Sequence, residues 1–189
     1  MIVIGASLGG IVAVQTVLAA LPRAFALPVT VVLHRQKEQE DALAAILQES
    51  SSLPVAEPFD KEPIEPGRVY LAPAGYHLLI EPGHFCLSMD VPVRFARPSI
   101  DVLFESAADA YRAAVIAVVL TGANQDGAEG AERIHRLGGR VIIQDSDTAE
   151  CPVMPAAALK AVPAAQVVPL GDIGALLARL AAPQSRPTL

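Results

Sequence analysis

The chain has 189 residues and a formal net charge of −6, and 52% of its residues are hydrophobic while 4% are aromatic. This length suits one domain with a sizeable core, and the composition predicts that aliphatic side chains fill that core. The acidic balance, without a cluster of Lys and Arg, excludes nucleic acid as a predicted partner. No apolar run is long enough to span a bilayer and no signal-peptide pattern precedes the first strand, so the sequence predicts a cytoplasmic protein without membrane insertion.

Helix and strand patterns alternate at both ends of the chain, and short strands separated by Pro and Gly fill the middle. In chain order, the patterns predict a strand over 1–5, a helix over 9–20, a strand over 27–34, a helix over 38–49, strands over 67–73, 76–83 and 84–89, a helix over 100–111, a strand over 113–120, a helix over 128–137, a strand over 140–145, a helix over 154–161, a strand over 165–170 and a helix over 172–181.

The alternation predicts an α/β fold, with a doubly wound and mainly parallel sheet, helices on both faces and an antiparallel hairpin at one edge. We assign the three middle strands to the antiparallel part, with Pro82-Gly83 as a hairpin turn. Residues 1–182 are predicted to form the domain, and 183–189 a disordered tail. Two cysteines, Cys86 and Cys151, imply no disulfide framework.

Functional sites in such sheets form outside the carboxyl ends of the strands. Three predicted loops at that edge carry Ser7, His34 and Asp126. Ser7 lies in Gly-Ala-Ser-Leu-Gly-Gly between a strand and a helix, a context that allows two interpretations. One is a dinucleotide-binding loop, and the other is a nucleophile elbow whose serine projects above the sheet.

The dinucleotide interpretation requires glycine where Ser7 stands, and an acidic residue at the end of the second strand. His34 and Arg35 occupy that end instead, although Arg35 would suit a 2′-phosphate. The nucleophile interpretation requires a base and a carboxylate that orients it, and His34 and Asp126 are residues of those types. It therefore predicts a Ser7-His34-Asp126 triad.

Each residue also has a structural alternative. Ser7 could cap the first helix, His34 could simply end a strand, and Asp126 could cap the helix near residue 128. His77, His84 and His135 lack a place at the strand ends, and we interpret them as structural. No ligand spacing predicts a metal site, no cofactor is predicted, and Cys151 lacks a context that would activate a thiol.

Several segments together resemble the catalytic domain of the chemotaxis protein-glutamate methylesterases. They are "VIGASLGG", "RVYLAPAGYHLLIE", "RPSIDVLFESAA", "VVLTGANQDGAEG", "GGRVIIQDSDTAECPVMPAAAL" and "VVPLGDI", and the resemblance covers residues 2–180. It implies the fold predicted above, with Ser7 as nucleophile, His34 as base and Asp126 as the orienting carboxylate. It also implies hydrolysis of glutamate methyl esters, and deamidation of glutamines, on the cytoplasmic helices of methyl-accepting chemoreceptors, within a two-component signalling system.

The sequence departs from the family pattern beside each of these residues. Leu8 replaces a threonine, Ala123-Asn124 replace Met-Gly, and Arg35-Gln36 replace Met-Pro. We expect the backbone N–H of Leu8 to stabilise the oxyanion and, by resemblance, that of Ala123 to do the same. Arg97 is a candidate for contact with acidic receptor helices.

Family members commonly carry a receiver domain before the catalytic domain, and this chain begins at the first catalytic strand. We interpret it as a stand-alone enzyme or as a fragment of a longer protein, with a receiver domain as a partner in cis or in trans. Two alternatives stay open, namely a non-catalytic signalling module of the same fold and a nucleotide-binding oxidoreductase.

Overall fold

The computed structural model describes residues 1–34 and 42–182. The strands are β1 Ile2–Ala6, β2 Val29–Leu33, β3 Val55–Ala56, β4 Val69–Leu71, β5 His77–Glu81, β6 His84–Ser88, β7 Ile116–Val119, β8 Arg140–Gln144 and β9 Gln166–Val168. The helices are α1 Gly10–Ala19, α2 Leu43–Ser50, α3 Ile100–Tyr111, α4 Ala128–Arg136, α5 Val153–Ala161 and α6 Leu170–Ala181.

Seven strands form a parallel sheet in the order β3-β4-β2-β1-β7-β8-β9. β1 lies in the middle and pairs with β2 on one side and with β7 on the other. The chain therefore builds outward from β1 in both directions, which creates a topological switch point at its carboxyl end. The predicted doubly wound α/β fold is confirmed.

The sheet separates two hydrophobic cores because alternate residues of each strand point to opposite faces. In β1, Ile2 and Ile4 face the core built with α1, α2 and α6, while Val3 faces the core built with α3, α4 and α5. All five residues of β1 and of β2 are buried, as continuous apolar strands in a two-sided sheet must be. Helices thus cover both faces.

The middle of the chain differs in part from the prediction. β5 and β6 form the predicted antiparallel hairpin, with Glu81 opposite His84 across a two-residue turn. The hairpin is a sheet of its own that packs on α3. The assignment of 67–73 to the antiparallel part is wrong, because β4 pairs in parallel with β2 and β3. Its three residues are all buried, and an apolar run this short does not reveal the direction of its partners.

Three expectations lie outside the described residues: the tail at 183–189, the start of the helix predicted over 38–49, and the pair Arg35-Gln36. In the described ranges, 1–34 and 42–182, no helix combines the length and the apolar character needed to cross a membrane.

Candidate active site

Ser7 directly follows β1, where the chain turns sharply into α1. Its carbonyl accepts a hydrogen bond from Gly10 N at 2.8 Å, and Gly9 is the N-cap residue of the helix, with a φ of 75° that favours glycine. The capping alternative for Ser7 is therefore wrong. Among the described residues, none forms a hydrogen bond with the Ser7 hydroxyl.

His34 directly follows β2, the strand beside β1. Its N–H donates to the carbonyl of Ala6 at 3.1 Å, which continues the register in which Ala6 pairs with Leu33. Since adjacent parallel strands lie about 4.8 Å apart, this register brings Ser7 and His34 to neighbouring positions at one edge of the sheet. The His34 imidazole Nε2 lies 2.8 Å from Asp126 Oδ2.

Asp126 is fully buried, and both of its carboxylate oxygens are saturated with hydrogen bonds. Oδ2 accepts from His34 Nε2 and, at 2.7 Å, from Ile100 N. Oδ1 accepts from Ser99 Oγ and from Asp101 N, each at 2.9 Å. The alternative in which Asp126 caps the helix near residue 128 is wrong, because Gly127 is the N-cap residue of α4. The Asp126 carboxylate binds the first turn of α3 instead.

The amino terminus of α3 reaches this site because small residues let it approach the sheet. A Cβ at Gly5 of β1 would collide with Ile100, and a Cβ at Gly127 would lie 2.6 Å from the same side chain. Ser99 begins the helix, and its hydroxyl accepts from Val102 N while it donates to Asp126. The glycines thus make room for Ile100, and the packing of Ile100 delivers its N–H to the Asp126 carboxylate.

Burial alone would raise the pKa of Asp126, but the hydrogen bonds from His34 and from the N–H groups of Asp101 and Ile100 outweigh it, and its pKa lies below the ordinary value. The positive end of the α3 dipole acts in the same direction. Asp126 therefore remains an anion, which is the state needed to orient an imidazole and to stabilise its protonated form.

A second buried carboxyl group belongs to Asp101, whose backbone N–H donates to Asp126. Burial raises the pKa of Asp101 to about 7, the hydrogen bond from Gly130 N opposes this, and the charge of Asp126 adds to it. Its Oδ2 lies 3.4 Å from Arg94 Nε without hydrogen-bond geometry, and no described group donates to that oxygen. Arg94 also pairs with Glu129 on α4.

The loop after β7 completes the site, because it packs closely on the loop that carries Ser7. Ser7 N donates to the carbonyl of Thr121 at 2.9 Å, and Thr121 Oγ1 donates to the carbonyl of Leu8 at 2.9 Å. A Cβ at Gly122 would lie 2.9 Å from the Cβ of Ser7. Within the part of the chain that the structure describes, the N–H groups of Leu8 and Ala123 donate to no protein acceptor.

The remaining candidates form hydrogen bonds with groups other than the side chains of Ser7, His34 and Asp126. Arg97 Nη1 donates to the carbonyls of Met89 and Asp90, at 2.9 and 3.1 Å, so its guanidinium anchors the loop before α3. His77 is buried and accepts from Ser99 N at Nδ1, a structural contact of the kind assigned to it from the sequence. Of the residues that the structure describes, no three His, Cys, Asp or Glu side chains form a cluster that could hold a metal ion.

Sequence reasoning missed three contributors to the site. Ser99, the residue before α3, donates its hydroxyl to Asp126, and Asp101, in the first turn of α3, donates its N–H to the same carboxylate. Asn124 lies 3.1 Å from His34 Nδ1 through its amide nitrogen. The signal for Asn124 was its departure from the family pattern, and nothing local in the sequence pointed to the other two contacts.

Comparison with known proteins gives a consistent result. The model of the CheB methylesterase family matches residues 2–177. A Leptospira interrogans protein, named as a candidate protein-glutamate methylesterase/protein-glutamine glutaminase, is 43% identical over 95% of this chain and 93% of its own. Protein-glutamate methylesterase FrzG of Myxococcus xanthus is 39% identical over 94% of this chain, which spans only 53% of that protein. The crystal structure of the Thermotoga maritima CheB methylesterase catalytic domain superposes with a TM-score of 0.91 at 34% identity, covering 95% of this chain and 97% of that one.

Proposed function

Because this chain belongs to the CheB methylesterase family, we propose that it is a serine hydrolase that demethylates glutamate methyl esters on the cytoplasmic helices of chemoreceptors. We include deamidation of glutamines on the same helices, since relatives are named for both activities. One observation carries the proposal. The His34 imidazole lies at the end of the strand that pairs with the strand before Ser7, and it contacts the buried Asp126 carboxylate, whose two oxygens are fully hydrogen-bonded. Family membership also favours the nucleophile interpretation of the Ser7 loop over the dinucleotide interpretation.

The reaction begins when Ser7 Oγ attacks the ester carbonyl carbon and His34 accepts the serine proton. Because Nε2 of His34 is engaged by Asp126, Nδ1 is the nitrogen that takes this proton. The tetrahedral intermediate collapses, methoxide leaves with the proton from Nδ1 as methanol, and a glutamyl ester of Ser7 remains. Water activated by the same nitrogen then releases the glutamate carboxylate and restores the serine.

The negative oxygen of the intermediate needs donors that no protein group already occupies. The unpaired N–H groups of Leu8 and Ala123 fit this role, because they flank Ser7 on two loops that pack together through Thr121. A backbone donor does not depend on side-chain identity, which makes Leu8 and Ala123 compatible with catalysis. One such donor is typically worth about 3 kcal/mol in the transition state.

The surface beside Ser7 suits a protein substrate. Leu8 is 54% exposed, and Ile11 and Val12 of α1 are also exposed, so an apolar strip borders the nucleophile. Arg97 remains a predicted contact for acidic receptor helices, with its guanidinium held on the loop before α3. A cytoplasmic location and a receiver domain as partner belong to the same proposal.

The proposal is tested by methanol release from methylated receptor. We expect Ser7→Ala to abolish release, because the neighbouring hydroxyls of Thr121 and Ser99 are already engaged with the Leu8 carbonyl and with Asp126. Ser52→Ala, at an exposed serine on a loop, should retain the native rate. Labelling of Ser7 by a serine-directed phosphonate provides a second readout. A native rate in Ser7→Ala would refute the nucleophile, and absence of both release and labelling in the native protein would favour the non-catalytic signalling module.

A further inference from the structure

Asn124 makes two hydrogen bonds that together fix the orientation of its side chain. Its Oδ1 accepts from the backbone N–H of Asp126 at 3.1 Å, and its Nδ2 lies 3.1 Å from His34 Nδ1. A carboxamide has one acceptor end and one donor end. Since a backbone N–H can only donate, the oxygen must face Asp126 and the NH₂ group must face the imidazole.

This orientation determines the tautomer of His34. Nδ1 faces a donor and therefore carries a lone pair, so the ring proton resides on Nε2 and points at the Asp126 carboxylate. The two contacts agree with each other, because Asp126 requires a donor from the imidazole and Asn124 requires an acceptor. A neutral imidazole has only one lone pair, and in this structure Asn124 occupies it.

The contact has a consequence for the nucleophile. The Ser7 hydroxyl, at the end of the neighbouring strand, forms no hydrogen bond with any described residue, and the nitrogen that would accept its proton is already engaged. We propose that Asn124 is a positioning residue that covers the base nitrogen of His34 in the resting protein and has to release it before Ser7 can lose its proton. This inference rests on the function proposed above.

The first test removes the side chain and measures how fast a serine-directed phosphonate labels Ser7. We expect Asn124→Ala to be labelled roughly 5-fold faster than the native protein. The variant releases one neutral hydrogen bond worth about 1 kcal/mol, and about 1.4 kcal/mol corresponds to a tenfold change in rate. Gln125→Ala is the matched control, since Gln125 lies on the same turn with an exposed side chain and should label at the native rate. An unchanged or slower rate in Asn124→Ala, with folding intact by circular dichroism, contradicts the inference.

A second variant keeps the turn intact. Asn124→Asp retains an oxygen for the Asp126 N–H but presents a carboxylate to Nδ1, which such a group binds only when the nitrogen is protonated. Among the described residues, Asp126 is the charged group that contacts the imidazole, and Asp101 and Arg94 are the charged groups next to Asp126. The substitution therefore replaces the NH₂ donor at Nδ1 by a negative charge. We expect the pH of half-maximal labelling to rise by about one unit or more. A side chain at position 124 that did not face His34 Nδ1 would leave this midpoint unchanged.

The outcomes separate the two proposals. If Ser7 is not labelled in any protein, including the native one, the hydrolase proposal fails. If Ser7 is labelled equally in the native protein and in both Asn124 variants, the hydrolase proposal stands and Asn124 has no role at the base nitrogen. A ¹⁵N spectrum of the native protein adds an independent readout, because a proton found on His34 Nδ1 would overturn the inference.

Discussion

Replacing Asp126 by asparagine exchanges one carboxylate oxygen for an NH₂ group, and the carboxylate accepts four hydrogen bonds in the native protein. The carboxylate accepts from His34 Nε2 and Ile100 N at one oxygen, and from Ser99 Oγ and Asp101 N at the other. An amide presents NH₂ in place of one oxygen, so in either orientation a buried backbone N–H of α3 faces a donor and loses its acceptor. An orphaned buried N–H costs about 1–3 kcal/mol, and losing the negative charge at the helix amino terminus adds about 0.5–1 kcal/mol.

We therefore expect Asp126→Asn to lower the free energy of unfolding by about 2–4 kcal/mol, measured by urea denaturation at pH 7. The rate of methanol release should fall by more than the loss of folded protein alone would cause. An NH₂ group facing His34 favours the tautomer with its proton on Nδ1, which can no longer accept a proton from Ser7, and a loss of roughly 10⁴-fold is expected in the rate of methanol release.

The control is Asp172→Asn, an exposed carboxylate in the first turn of α6. It should change the free energy of unfolding by less than about 0.5 kcal/mol and leave methanol release unaltered. A stability loss in Asp126→Asn no larger than that of the control would refute the hydrogen-bond network described here. A methanol-release rate within tenfold of the native rate would refute the role of Asp126 in orienting His34.

Two further predictions test the surroundings of the site. Burial raises the pKa of Asp101 to about 7, so the folded protein retains a proton that the unfolded chain releases near pH 4, and the free energy of unfolding should fall as the pH rises through this interval. Asp101→Asn removes this titration, and urea denaturation at pH 5 and pH 8 should show a smaller difference than in the native protein; equal differences would contradict the assignment. Gly122→Ala places a Cβ 2.9 Å from Ser7 Cβ and 2.5 Å from Met154 Cε, and we expect methanol release to fall roughly tenfold or more as the loop shifts. Gly171→Ala, whose added Cβ meets no atom within 4 Å, should retain the native rate, and equal rates in the two variants would show that the loop tolerates the methyl group.

The strand ends were the most predictable part of the site. Ser7, His34 and Asp126 each follow an apolar strand of a sheet whose parallel order is implied by helix and strand alternation. Because the carboxyl ends of parallel strands meet at one edge, position along the chain was enough to group these residues. The family resemblance led to the same residues, and the comparisons confirm the family.

The middle of the chain was less predictable. β4 has three residues and β3 has two, too few for periodicity to reveal whether a partner runs parallel or antiparallel. Their place in the sheet depends on the crossovers that surround them. The hairpin was predictable because its turn is local, with Pro82-Gly83 joining two apolar strands.

What the sequence by itself determined is the set of candidate groups, since a serine in a strand-turn-helix context and a histidine at the next strand end are readable from local pattern. Tertiary structure alone decided how those groups are held. The saturation of Asp126 depends on Ser99, Ile100 and Asp101, more than 20 residues away, and the cover over His34 Nδ1 depends on Asn124, 90 residues along the chain. The physical reason is that hydrogen bonds are directional and short-ranged, so their partners are chosen by the packing of a helix terminus against a sheet, which no local pattern encodes.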